Sequence, residues 1–77
     1  MRYLPQLLRD LRKLHKGWKI TIIDYDGEHY DDFILSDKMT EYDNDPAYGE
    51  VEIEDWEIED NVDEAEITLF SNIEPVY

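Results

Sequence analysis

Residues 50–59 read Glu-Val-Glu-Ile-Glu-Asp-Trp-Glu-Ile-Glu, an alternation of acidic and apolar side chains. An alternation with a period of two predicts a β-strand with one buried and one solvated face. The apolar pair Val51 and Ile53 has one parity, whereas the pair Trp56 and Ile58 has the other. The strand pattern therefore changes phase between the two pairs.

A β-bulge, one extra residue at Glu54-Asp55, brings the four apolar side chains onto one face. The acids of the segment then point away from the core, and alternate residues of a strand are about 6.6–6.8 Å apart. The sequence has no lysine or arginine between Val51 and Glu66. We predict that this face carries a row of carboxylates, namely Glu50, Glu52, Glu54 or Asp55, Glu57 and Glu59.

The hairpin before this segment is predicted by two short runs rich in β-branched and aromatic residues, 18–25 and 28–35. They flank the Asp-Gly pair at 26–27, which is a strong hairpin signal. A two-residue turn places the charged Asp31 opposite Ile22, on the face that the core needs. A three-residue turn is the alternative.

The remaining patterns complete one small domain. Residues 4–16 carry leucines at three- and four-residue spacing, which predicts an amphipathic helix. Residues 65–70 predict a fourth strand, and the polar residues 36–49, broken by Pro and Gly, predict a long loop. The chain, 1–77, is therefore expected to be a single α+β domain: one N-terminal helix packed on a four-stranded, mostly antiparallel β-sheet.

Charge is divided unevenly along the chain. Residues 1–19 hold six bases and one acid, a net +5, whereas residues 20–77 hold 20 acids and one base, a net −19. The total of −14 excludes direct binding of nucleic acid and of anionic membranes, because both need a basic face. The apolar content of 42% and aromatic content of 13% exclude a disordered acidic tail.

Cysteine is absent, which removes disulfides and thiolate metal sites. No apolar run approaches the length of a membrane span, and the N-terminal residues lack the continuous apolar stretch of a signal peptide. We therefore expect a cytoplasmic protein, since the cytosol is a reducing compartment.

Catalytic and metal-binding patterns are also missing. An EF-hand needs glycine at position 6 of its loop, and loops that begin at Asp24 or Asp43 lack it. The histidines His15 and His29 have no metal-ligand spacing, the two serines lie outside a nucleophile-elbow pattern, and the three glycines are isolated. We expect no enzyme activity, no cofactor and no metal.

The carboxylate row matches the geometry of a nucleic-acid backbone. Successive phosphates of a DNA strand are on the order of 6–7 Å apart, close to the spacing of alternate carboxylates on a β-strand. Tyr25 is a further contact candidate, because tyrosine combines apolar area with a polar tip at interfaces. Besides the carboxylate row, the candidate contact residues are therefore Asp60, Asp63, Glu64, Glu66, Asp43, Asp45 and Tyr25.

In size, charge, absence of cysteine and the acid row over Glu50–Glu66, the chain resembles the small acidic nucleic-acid-mimic inhibitors of phages and mobile elements. These include some anti-CRISPR proteins, anti-restriction proteins and uracil-DNA glycosylase inhibitors. The resemblance implies a non-catalytic inhibitor whose partner is a basic nucleic-acid-binding protein, such as a CRISPR effector or other phage-defence nuclease.

Two other functions fit the same residues. An acidic interaction module, such as an immunity protein or adaptor, would bind a basic partner without displacing nucleic acid. A solvation-driven acidic domain of a halophile would have no charged partner, and alternating glutamates also keep one face of a soluble sheet wet. The oligomeric state is left open by the sequence.

Overall fold

The computed structural model describes residues 2–61 and 63–74, which form an α+β fold with one main helix on a mixed five-stranded sheet. The strand order is β1-β4-β5-β2-β3, and every neighbouring pair is antiparallel except β2 and β5. In chain order the elements are β1 (Arg2–Tyr3), α1 (Leu4–Leu14), β2 (Lys19–Ile23), β3 (His29–Ile34), α2 (Glu41–Asn44), a 3₁₀ turn (Pro46–Tyr48), β4 (Glu52–Asp60) and β5 (Ala65–Ser71).

The sheet differs from the four-stranded expectation by one short strand. Arg2 and Tyr3 pair with Ile53 and Glu52 to form β1 at the edge of the sheet. Two residues are too few to show a period of two, so the sequence pattern gave no signal for this strand. The parallel pairing of β2 with β5 also joins segments that are distant in the chain.

Helix α1 ends two residues before the predicted boundary at residue 16. Pro5 lies in its first turn, where the missing N–H costs no helical hydrogen bond. After the C-cap residue His15, Gly17 adopts φ 96°, a left-handed conformation that turns the chain toward β2. The core packs the leucines of α1 against the sheet and consists of Leu4, Leu7, Leu8, Ile20, Ile22, Leu35, Tyr42, Ile53, Ile67, Leu69 and Ile73.

The hairpin combines the two turn alternatives. Ile23 pairs with His29, so the connection is one residue longer than a two-residue turn. The register then shifts, and Ile22 pairs with Asp31, which leaves Tyr30 as the extra residue of a bulge. Asp31 therefore lies on the core face, as the two-residue register predicts.

The segment predicted as a long loop folds over that core face. Thr40 and Asp43 form a capping box at α2, and Tyr42 is buried. The Tyr42 hydroxyl donates a hydrogen bond to the Asp31 carboxylate, which gives the core-facing acid a partner. Burial, and then this bond, raise the pKa of Tyr42 above its ordinary value. Because α1, α2 and the loop pack on one side, the described residues leave the other side of the sheet open.

The predicted bulge in β4 is confirmed. Ile53 pairs with Ser71 and Asp55 with Phe70, so Glu54 is the extra residue. The bulge brings Trp56 onto the core side with Ile53, as its pairing with the buried Leu69 shows. Within β4, however, Ile53 is the last buried residue, and Trp56 is 45% exposed.

Candidate functional site

The open side of the sheet carries a row of carboxylates from β4 and β5. Residues that are directly opposite in neighbouring strands share a face, and the register places Glu57 beside Thr68 and Glu59 beside Glu66. Glu52 pairs with Tyr3 on the same side of the strand. We call this surface the acidic face, and it consists of Glu52, Asp55, Glu57, Glu59 and Glu66.

Three carboxylates of β4 are free to contact a partner. Glu54, Glu57 and Glu59 are exposed, and their carboxylates make no hydrogen bond or ion pair within the described ranges. By contrast, Asp55 accepts a hydrogen bond from the backbone N–H of Trp56 at 2.8 Å. The free carboxylates therefore have no structural task that would compete with binding.

Like charges lie side by side on the acidic face. Glu59 is directly opposite Glu66, an arrangement that destabilises a sheet. Lys19 is the neighbour of Glu66 on the other side, but its ammonium group lies 3.8 Å from Asp32. The Glu66 carboxylate instead accepts a hydrogen bond from the Thr21 hydroxyl at 2.6 Å. The acidic face thus keeps an electrostatic repulsion between carboxylates that a surface with both acidic and basic side chains would avoid.

The other acids predicted after β4 lie near the face without belonging to it. Asp60 ends β4 and pairs with Ala65, which places it on the α1 side of the sheet. Asp63 and Glu64 are exposed in the connection to β5. Asp63 and Glu64 continue the negative charge of Asp60 beyond the end of β4.

Residues predicted before β4 are scattered. Glu50 is exposed in the turn that precedes β4. Asp45 is exposed and caps the 3₁₀ turn by accepting from the N–H of Ala47 at 2.9 Å. Tyr25 lies in the turn after β2 and is 68% exposed. The structure does not bring these residues into the acidic face.

Asp43 is removed from the surface altogether. Its two oxygens accept hydrogen bonds from the Arg12 guanidinium at 2.8 and 2.9 Å, and the Asp43 side chain is 2% exposed. The Thr40 backbone N–H and hydroxyl donate to the same carboxylate. Burial alone would raise the pKa of Asp43, but these hydrogen bonds hold it below its ordinary value. Asp43 is thus a structural residue, and we leave it out of the candidate surface.

The lowered pKa of Asp43 predicts acid sensitivity. A carboxylate whose pKa is lowered by folding stabilises the protein above its ordinary value of 3.8, and that contribution is lost as pH falls from there through the folded pKa. We expect the free energy of unfolding, measured by urea denaturation, to fall over this range. The control D43N has no group to titrate there, so its fall should be smaller. An equal fall in both proteins would show that other groups cause it.

The basic N-terminal segment is largely neutralised by nearby acids. Within the described part of the chain, four of its bases form ion pairs at distances of 2.8 to 3.8 Å. The pairs are Arg2–Asp10, Arg12–Asp43, Lys16–Asp37 and Lys19–Asp32. This internal pairing leaves the carboxylates of β4 as the main unpaired charge of the sheet.

Two apolar side chains of β4 form an exposed strip that the sequence analysis did not predict. Trp56 and Ile58 were expected in the core, yet they are 45% and 51% exposed. Trp56 lines a groove with Leu7 and Leu11 of α1. The lengths of the two elements indicate this exposure. Helix α1 has 11 residues and is about 17 Å long, whereas β4 has 9 residues and is about 30 Å long. A helix this short leaves the far end of the strand uncovered.

Comparison of the chain with protein-family models, curated proteins and solved structures finds no match. Across residues 2–61 and 63–74, no group of three or more histidine or acidic side chains is arranged to hold a metal ion. None of the helices in those ranges is long and apolar enough to cross a membrane. The candidate surface is therefore interpreted from its own geometry and charge.

Proposed function

We propose that this protein is a non-catalytic inhibitor that imitates nucleic-acid phosphates with the acidic face. Its target would be a basic DNA- or RNA-binding protein, such as a CRISPR effector or other phage-defence nuclease. One observation carries the proposal: Glu52, Asp55, Glu57 and Glu59 of β4 share a sheet face that the described residues leave uncovered. The carboxylates of Glu57, Glu59 and the bulge residue Glu54 beside them have no partner among those residues.

The mechanism is electrostatic exclusion. Alternate carboxylates of β4 are spaced about as far apart as neighbouring phosphates, so they fit the arginines and lysines that line a nucleic-acid groove. The net charge of −14 steers the protein toward such a groove, and the bound inhibitor then blocks the nucleic acid. Association should be fast at low salt and slow markedly as salt screens the field.

Competition with nucleic acid tests this proposal. We expect the immobilised protein to retain a nucleic-acid-binding protein from the host lysate, and double-stranded DNA or the target's own guide RNA to displace it. The recovered target, when purified, should bind either this protein or its nucleic acid but not both. Simultaneous binding of the two would contradict mimicry.

The exposure of Trp56 favours a second candidate function, an acidic interaction module that binds a basic partner without displacing nucleic acid. Tryptophan is enriched among the residues that dominate protein–protein binding energy. The same competition experiment separates the candidates, because nucleic acid would leave this second complex intact.

A further inference from the structure

Among the described residues, no strand pairs with the outer edge of β4 over most of its length. β4 lies next to the two-residue strand β1, which pairs only with Glu52 and Ile53. Residues 54–60 therefore have a strand partner on one side only, within the part of the chain that the structure describes. Alternate residues of such a strand direct their N–H and C=O groups outward, where they form a template for another strand.

The two sides of this edge differ in chemistry. On the α1 side, Trp56 and Ile58 are about half exposed, and Trp56 lines the groove along α1 together with Arg2 and Leu11. The one acid of residues 54–60 that the pairing places on this side is Asp60, the last residue of the strand. On the open side, Glu57 and Glu59 are exposed and unpaired among the described residues. A strand that pairs with this edge would place alternate side chains on the apolar strip and on the carboxylates.

We propose that the edge formed by residues 54–60 binds an extended segment of a partner protein in which apolar and basic residues alternate. Backbone hydrogen bonds would add the segment to the sheet, a mode known as β-augmentation. Its apolar side chains would contact Trp56 and Ile58, and its basic side chains would pair with Glu57 and Glu59. The site shares Glu57 and Glu59 with the acidic face, but it goes beyond the proposed function, because backbone pairing along β4 does not require a partner that binds nucleic acid.

A second copy of this chain fits the edge poorly. Pairing β4 with another β4 would bring the carboxylates of two chains together, each with a net charge of −14. Asp55 occupies the backbone N–H of Trp56, so any strand that pairs with this edge forgoes that one hydrogen bond, and charge is what separates the two occupants. The chemistry thus selects a partner of opposite charge.

The other edge of the sheet lacks this combination. β3 presents Ile34, which is 60% exposed, on the same side as Asp32, and its core side holds the half-buried Phe33. Apolar and acidic residues are mixed on one side of β3, whereas on β4 the apolar side carries an acid only at the last residue of the strand, Asp60. Ile34 therefore serves as a matched control for the exposed apolar residues of β4.

A synthetic peptide tests the edge directly. The probe is a capped peptide of about eight residues that alternates valine and lysine, titrated at physiological salt into the ¹⁵N-labelled full chain. We expect saturable shifts of the backbone amides of residues 54–60 and the neighbouring groove. A valine–glutamate peptide of the same length should not bind. Shifts spread over acids throughout the molecule would overturn the proposal.

Two N-methylated versions of the probe separate strand pairing from simple charge attraction. One set of alternate peptide amides faces β4 and the other faces away, so methylation of one set should abolish binding and methylation of the other should preserve it. Equal binding of both versions would overturn the proposal. A dimer in sedimentation equilibrium, with residues 54–60 in its contact, would also overturn it in favour of a second copy.

Side-chain variants test the apolar strip. We expect W56T to weaken binding of the valine–lysine peptide about tenfold or more, because a tryptophan contact is lost. I34T removes an apolar residue of greater exposure from the other edge and should leave binding unchanged. Equal effects of the two variants would contradict the placement of the site. The N-methylated peptides keep the test valid if W56T folds poorly.

Discussion

Reversal of Glu54, Glu57 and Glu59 to lysine is expected to weaken inhibition of the nucleic-acid-binding target about 100-fold or more. Each reversal removes an attractive contact and places a positive charge against an arginine or lysine of the target. The fold should survive, because the three side chains are exposed and their carboxylates make no hydrogen bond or ion pair within the described ranges. Binding is measured by titration with the target, and folding by circular dichroism.

A charge-matched control decides whether position matters. Reversal of Glu28, Glu41 and Glu74, which are exposed outside the acidic face, changes the net charge from −14 to −8, as the first triple variant does. We expect this control to retain most of the inhibition and to lose only part of the steered association rate. Equal losses in both variants would show that net charge alone acts, and mimicry by the carboxylates of β4 would be rejected.

Replacement of Arg12 by alanine is expected to lower the free energy of unfolding by about 3–5 kcal/mol. The substitution leaves the buried Asp43 carboxylate with only its hydrogen bonds from Thr40, and removal of one partner of a buried ion pair carries a cost of this size. A chain of 77 residues has a total stability of about 4–12 kcal/mol, so this variant should be close to unfolding. Urea denaturation followed by circular dichroism measures the change.

Lys16 provides the control for this effect. It forms an ion pair with Asp37 at 3.0 Å, but the two side chains are 56% and 83% exposed. K16A should therefore cost no more than about 1 kcal/mol, since water already solvates both charges. If R12A lowers the free energy of unfolding no more than K16A does, the Arg12–Asp43 ion pair does not hold the loop on the helix.

Local patterns accounted for most of the fold. The leucine spacing predicted α1, the alternation of residues 50–59 predicted β4, and the change of phase predicted the bulge at Glu54. The Thr40-x-x-Asp43 pattern was a further local signal for the start of α2, and it was overlooked in a segment interpreted as loop. These features depend on residues close in sequence, so the spacing of apolar residues and the capping residues predict them.

Burial was less predictable than secondary structure. Asp43 was interpreted as a surface acid, because no sequence pattern relates it to Arg12, 31 residues earlier. Trp56 and Ile58 were interpreted as core, because their face of the sheet was predicted but the reach of α1 over it was not. Whether a side chain is covered depends on the element opposite, which lies elsewhere in the chain.

The sequence by itself determined the acidic–apolar alternation of β4, its bulge and the separation of a basic helix from an acidic sheet, because each depends on the order of neighbouring residues. Only the tertiary structure decided the parallel pairing of β2 with β5, the capture of Asp43 by Arg12 and the open edge beside Trp56. The physical reason is that these features arise from contacts between distant segments. Such contacts determine which carboxylates are already paired and which remain available to a partner.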